Sequence, residues 1–161
     1  MKVFAVDPGN THSAWVIWDG TRVIEHGYQP NVDVLDELDE RGAIGTDLVV
    51  AIEMIQSFGM AVGTEVFETC VWIGRLMQTW IERTDDEPLR LSRMTVKHHL
   101  CHSSQAKDTN IRQALIDRVG APGVKKAPGP TYGLHGDEWS ALAVAVTAWD
   151  QLVEQRAERT A

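Results

Sequence analysis

The sequence predicts a single three-layer α/β domain, with helices covering both faces of a central mixed β-sheet. Three observations carry that expectation. Strand-like apolar runs joined by turns open the chain, "TDLVVAIE" (46–53) is a nearly continuous apolar run of the kind covered on both faces, and long segments of helical spacing follow it. A length of 161 residues suits one domain with one core, so residues 1–161 are taken as one unit.

"KVFAVD" (2–7) reads as the first strand, and "SAWVIWDGTRVIEHGYQ" (13–29) as two more around the turn Asp19-Gly20, together an antiparallel meander. "VDVLDELDERG" (32–42) has helical spacing with acidic solvent positions. The apolar strand after it ends at Glu53. In "GTEVFETCVWIGRLMQTWIER" (63–83), Val66, Cys70, Ile73, Met77 and Ile81 recur at three and four residues, predicting a long amphipathic helix from near Thr64. "PLRLSRMTVKHHL" (88–100) offers a short strand and a helix start, and "AKDTNIRQALIDRVG" (106–120) a helix ending at Gly120. Five glycines and three prolines within residues 120–138 are too many breakers for regular structure, which predicts a mobile loop at 120–136. The last segment (137–161) reads as a helix of small apolar residues with a fraying charged tail.

The composition, 43% hydrophobic and 24% charged, is that of a soluble globular protein, and no apolar run is long enough to predict a membrane span. The N-terminus enters a strand pattern directly, without the flank of a secretory signal, and two cysteines make no disulfide framework, so a reducing cytoplasm is expected. The net charge of −8 argues against nucleic acid only as an average. Between Leu89 and Lys126, eight basic residues face two acidic ones, so this stretch carries +6 and the remainder −14. Such a stretch supplies an anion-binding face or merely solvated helix surfaces, and both readings are open.

Three carboxylates stand out by position. Asp7 and Glu53 end apolar strands, and Asp137 lies at the mouth of the last helix. An unpaired charge in such surroundings costs several kcal/mol (about 1–5) unless it reaches solvent or finds a cation. A divalent metal is one such cation, since hard Mg²⁺ takes a few carboxylate oxygens together with water and phosphate. Singly, each has an ordinary alternative: Asp before Pro-Gly forms turns, a strand-terminal Glu reaches solvent, and an Asp at a helix start favours the dipole.

"FAVDPGNTHSAWVIWDG", "VVAIEMIQSFG" and "HGDEWSALAVAVTAW" resemble, at these relative positions, the motifs of RuvC-type Holliday-junction resolvases of the RNase H-like superfamily, especially short phage and prophage forms. The resemblance spans nearly the whole chain. It implies an RNase H-like fold and a Mg²⁺-dependent endodeoxyribonuclease, a homodimer that cuts branched DNA in the cytoplasm of a bacterial or phage-infected cell. Asp7, Glu53 and Asp137 match the metal-site positions and would hold two Mg²⁺ ions, with Mn²⁺ as a substitute. The final motif departs from the family: a second metal-site residue is expected directly before Ala-Leu-Ala, and Ser140 stands there, which leaves His135 as the supplement preferred over Glu138. Lys97 and Lys107 match the lysines near the scissile phosphate. Lys107 is expected to act in catalysis, while Lys97, Lys107, Arg112, Lys125 and Lys126 are the expected DNA contacts.

"HHLCH" (98–102) lacks the second ligand cluster of a zinc site. "QSFGMAVG" (56–63) places Phe58 and Met60 at a loop tip, to wedge into DNA or to anchor a dimer or the loop. Two other functions share these motifs. One is a junction-binding protein that has lost cleavage through Ser140; the other is an actin-like phosphotransferase, whose phosphate motif resembles Asp-x-Gly-Asn-Thr but which needs a second domain.

Overall fold

The computed structural model describes residues 1–43, 47–56, 59 and 61–160. The described residues form seven strands and five helices in the order β1 (Lys2–Asp7), β2 (His12–Trp18), β3 (Val23–Pro30), α1 (Asn31–Ala43), β4 (Leu48–Met54), α2 (Thr64–Thr84), β5 (Leu89–Ser92), α3 (Arg93–Cys101), α4 (Asp108–Val119), β6 (Gly123–Val124), β7 (Ala127–Pro128) and α5 (Glu138–Thr160). The main sheet has the order β3-β2-β1-β4-β5. β1, β2 and β3 pair antiparallel as the expected meander, whereas β1 with β4 and β4 with β5 pair parallel.

Side-chain alternation along the strands divides the core between two faces. Phe4, Val6, Trp15, Ile17, Val50 and Ile52 pack against α1 and α2. Their neighbours Val3, Ala5, Ala14, Val16 and Ala51 point the other way, to a layer built from α3, α4 and α5. Helix α5 is buried without interruption from Glu138 to Ala148, except at Ser140. Its alanines at 141, 143, 145 and 148 let the backbone lie close to the sheet. Among the described residues no helix is long and apolar enough to cross a membrane.

Two expectations are corrected. The buried stripe of α2 is Thr69, Ile73, Leu76 and Trp80, not the set that includes Val66 and Cys70. Both spacings obey helical periodicity, and the helix is rotated so that the bulky Trp80 fills the core, leaving Cys70 exposed with Phe67 and Val71. In the breaker-rich stretch, regular structure does form: β6 and β7 make a hairpin with Lys125-Lys126 at its turn. Gly123 takes a φ of 70° there, a left-handed conformation that glycine permits. Backbone bonds from Gly129 N–H to Pro122 O (2.7 Å) and from Val23 N–H to Pro130 O (3.0 Å) tie this stretch to itself and to β3.

Candidate active site

Register brings Asp7 and Glu53 together. In the parallel pair β1/β4, Val6 lies opposite Ile52, so the next residues, Asp7 and Glu53, emerge side by side at the carboxyl ends of adjacent strands. They belong to the alternation phase that faces α5, the phase of Ala5 and Ala51. The carboxyl ends of parallel strands are where α/β sheets place their ligands. Here the two carboxyl groups, with Pro8, Met54, Ile55, Gln56 and Arg93, line a cavity of about 240 Å³.

A hydrogen-bonded brace holds the turn that follows Asp7. Gly9 N–H donates to Ser13 Oγ (3.3 Å), Ser13 Oγ–H to Asn31 Oδ1 (2.6 Å), and Asn31 Nδ2–H to Gly9 O (2.9 Å). Ser13 and Asn31 are both buried, so the brace is shielded from competing water. Glycine is required at position 9 because a Cβ there would stand 2.3 Å from the carbonyl oxygen of His12.

The pair is electrostatically loaded. Burial, then the charge of Glu53 and a hydrogen bond with it, push the Asp7 carboxyl up to about 8 from an ordinary 3.8; Arg93 opposes the shift and Asp137 adds to it. Two carboxylates this close cannot both ionise without a cation, and one keeps its proton. Arg93 is the nearby cation and offsets this repulsion only in part. Its Nη1 lies 3.2 Å and 3.3 Å from the two oxygens of Glu53, and its Nη2 donates to Asp108. Burial works against the Arg93 charge, but Glu53, Asp108 and Asp7 more than offset it and hold the guanidinium above its ordinary value.

Sequence reasoning missed Arg93, although a signal existed. It is the first residue of α3, where the helix dipole disfavours a cation. Its approach to the pair is set by the fold: Leu91 lies opposite Glu53 in the β4/β5 register and Arg93 is two residues further on. Asp108, its second partner, follows Lys107 directly, so the arginine ties the start of α4 to the carboxyl pair.

The remaining expected residues are spread around this centre. Asp137 is exposed, yet its charge is felt at Asp7. It borders two cavities, one shared with Asp108, Arg112, Trp139 and Ser140 and the other with Tyr28, His135 and Glu138. His135 is exposed and lines only the second of these, apart from the cavity of Asp7 and Glu53. Glu138 is buried and committed elsewhere: it accepts the backbone N–H of His135 (2.7 Å) and bonds His26 Nδ1 (2.9 Å). Lys97 is half-buried on α3, and Lys107, Lys125 and Lys126 are exposed. Arg112 is exposed with its guanidinium 4.7 Å from the ring centre of Trp139. Phe58 and Met60 lie outside the described residues.

The donor set at Asp7 and Glu53 fits a hard divalent cation: paired carboxylate oxygens on rigid strands, too close to be ionised together, beside a cavity of about 240 Å³. Among the described residues no group of three or more His, Cys, Asp or Glu side chains is placed to hold a metal. The fit therefore extends to the pair, with Asp137 as a nearby charge.

No protein-family model matches this chain, and no curated protein matches it. Solved structures do. The structure of Thermus thermophilus RuvC superimposes with a TM-score of 0.60 at 19% identity, covering 91% of this chain and 92% of that one. T. thermophilus RuvC in complex with a Holliday junction substrate gives a TM-score of 0.64 at 18% identity, with the same coverage. With its five-stranded mixed sheet between two helical layers and its carboxyl pair on neighbouring parallel strands, the chain has the RNase H-like fold of RuvC.

Proposed function

We propose that this chain is a metal-dependent, structure-selective endodeoxyribonuclease that cuts branched DNA, foremost Holliday junctions. The observation that carries the reading is the Asp7–Glu53 pair, held by strand register at the sheet's ligand-binding end in a fold shared with a protein solved on a Holliday junction.

Asp7 and Glu53 would hold the metal, Mg²⁺ or Mn²⁺ in its place, with Asp137 beside them. For a second ion, exposed Asp137 and His135 are the supplements that the sequence motif offers. When bound, the ion supplies Lewis-acid stabilisation of the charge that gathers on the phosphate oxygens. The residues of the chain do the rest. β1 and β4 keep both carboxyl groups fixed, so no reorganisation is needed as charge develops. To hold a cation, the pair would give up the proton it shares. Lys107 offers a point charge to the scissile phosphate, and Lys97, Arg112, Lys125 and Lys126 hold the backbone without reading sequence. Arg112 is already oriented by stacking on Trp139. Water adds to phosphorus, the bond from phosphorus to the 3′ oxygen breaks, and that oxygen leaves with a proton.

Symmetric cutting of a four-way junction calls for two sites related by a two-fold axis, and so for a homodimer. The exposed stripe of α2, with Phe67 61% and Val71 58% exposed beside Cys70 and Gly74, supports that helix as the interface. Cleavage of a synthetic junction by wild type and Asp7→Asn with Mg²⁺ tests the proposal. Cutting by wild type alone is expected, and equal cutting by both would remove Asp7 from the reaction. Tight junction binding without cutting in either Mg²⁺ or Mn²⁺ would favour a binding protein, a reading to which Ser140, in place of a carboxylate beside Asp137, gives support.

A further inference from the structure

Arg93 stands where helix rules disfavour it, and its partners explain why. The guanidinium engages both oxygens of Glu53, at 3.2 Å and 3.3 Å, and reaches Asp108 through its other nitrogen. It also lines the same cavity as Asp7 and Glu53. A divalent cation entering that cavity meets a fixed positive charge and a carboxylate already engaged. The two ends of the bridge are unequal: the Glu53 side chain is 8% exposed and Asp108 77%. The outer anchor is therefore wet and weak alone, and it can keep Arg93 at the cavity mouth after Glu53 is taken. A guanidinium released from a carboxylate has the fork geometry to grip a phosphate instead.

We propose that Arg93 is a positioning residue that holds Glu53 in the cation-free protein, competes with the divalent cation for it, and turns to the DNA phosphate when the cation enters. This rests on the metal-dependent reading above. Arg93 thereby sets how tightly the protein binds metal in the absence of DNA, and it couples metal entry to phosphate binding.

The test is calorimetric titration of Mn²⁺ into DNA-free wild type, Arg93→Gln and Arg93→Lys, with thermal melts of each in chelator and in Mn²⁺. Loss of the competing charge is expected to tighten Mn²⁺ binding about tenfold in Arg93→Gln. The same variant is expected to melt below wild type in chelator, because Glu53 loses its partner, and to gain more from Mn²⁺. Arg93→Lys, which cannot bridge Glu53 and Asp108 in fork geometry, is expected to bind about threefold tighter than wild type. Should Arg93→Gln fail to fold, the lysine variant carries the test. Mn²⁺ binding that is equal to or weaker than wild type in the folded variants overturns the role of Arg93 while leaving the metal site standing. Absence of Mn²⁺ binding in wild type and both variants removes the metal-dependent reading itself, and this inference with it.

Discussion

Replacing Asp7 by Asn should stabilise the metal-free protein while abolishing its chemistry. In the folded chain the Asp7 carboxyl titrates at about 8 instead of 3.8. Between those values the folded state keeps a proton that the unfolded state has released, so stability falls as pH rises, by about 1.4 kcal/mol per pH unit. From about pH 5 to about pH 8 the loss has an upper limit of roughly 4 kcal/mol, and relaxation of the pair reduces it to about 2 kcal/mol. Asparagine is neutral throughout, nearly isosteric, and its amide N–H can still donate to Glu53. The melting temperature of Asp7→Asn relative to wild type is therefore expected to rise by about 4–8 °C over that pH interval in chelator, at about 2–4 °C per kcal/mol. Saturating Mg²⁺ should reverse the order, since binding at a hundredfold excess over Kd adds about 2.7 kcal/mol to wild type alone. Calorimetric melts at several pH values, with and without Mg²⁺, measure both. A difference in melting temperature that does not change with pH would refute the reasoning, because the repulsion within the pair would then be absent.

Gly9→Ala should cost about 2 kcal/mol, since the new methyl would meet a backbone oxygen and the turn beyond Asp7 must move; urea unfolding would show it, and an unchanged midpoint would mean the brace is not rigid. Leu142→Ala, in the fully buried part of α5, should lose about 2–5 kcal/mol by the same measurement. Glutamate at both Phe67 and Val71 should convert a dimer to a monomer by sedimentation and leave the protomer's stability within about 0.5 kcal/mol, as both side chains are exposed on the protomer. Lys107→Ala should lower the slope of junction affinity against salt by about one and weaken binding alike for all sequences.

The carboxyl pair and Arg93 illustrate how charge is managed at a strand end. Asp7 and Glu53 sit where apolar strands leave little water, and the fold offers a guanidinium and a shared proton in place of solvent. On the metal-dependent reading proposed above, such an arrangement would favour a divalent cation, and the stability loss expected at high pH would measure that tension. The brace of Ser13, Asn31 and Gly9 keeps the Asp7 end of the pair in place.

Local patterning was enough to identify the elements. The apolar, β-branched runs in 2–7 and 13–29, the apolar run into Glu53 and the helical spacing of 64–83 are properties of neighbouring residues, and the strands and helices they imply are those found. The positions of Asp7, Glu53 and Asp137 were legible for the same reason, because charges at the ends of apolar segments are visible without knowing the fold. What lies between segments was not. The rotation of α2 depends on which of two equally spaced stripes fits the sheet, and Trp80 decides it by packing. The β6–β7 hairpin forms through a left-handed glycine and bonds to β3, beyond what breaker content reveals. Above all, only the parallel register of β1, β4 and β5 places Glu53 beside Asp7 and Arg93 against Glu53, joining residues far apart in the chain. Sequence by itself determined the segments and the chemistry each carries; tertiary structure decided which charges meet, because side-chain contacts are set by strand register and layer packing, to which local sequence is blind.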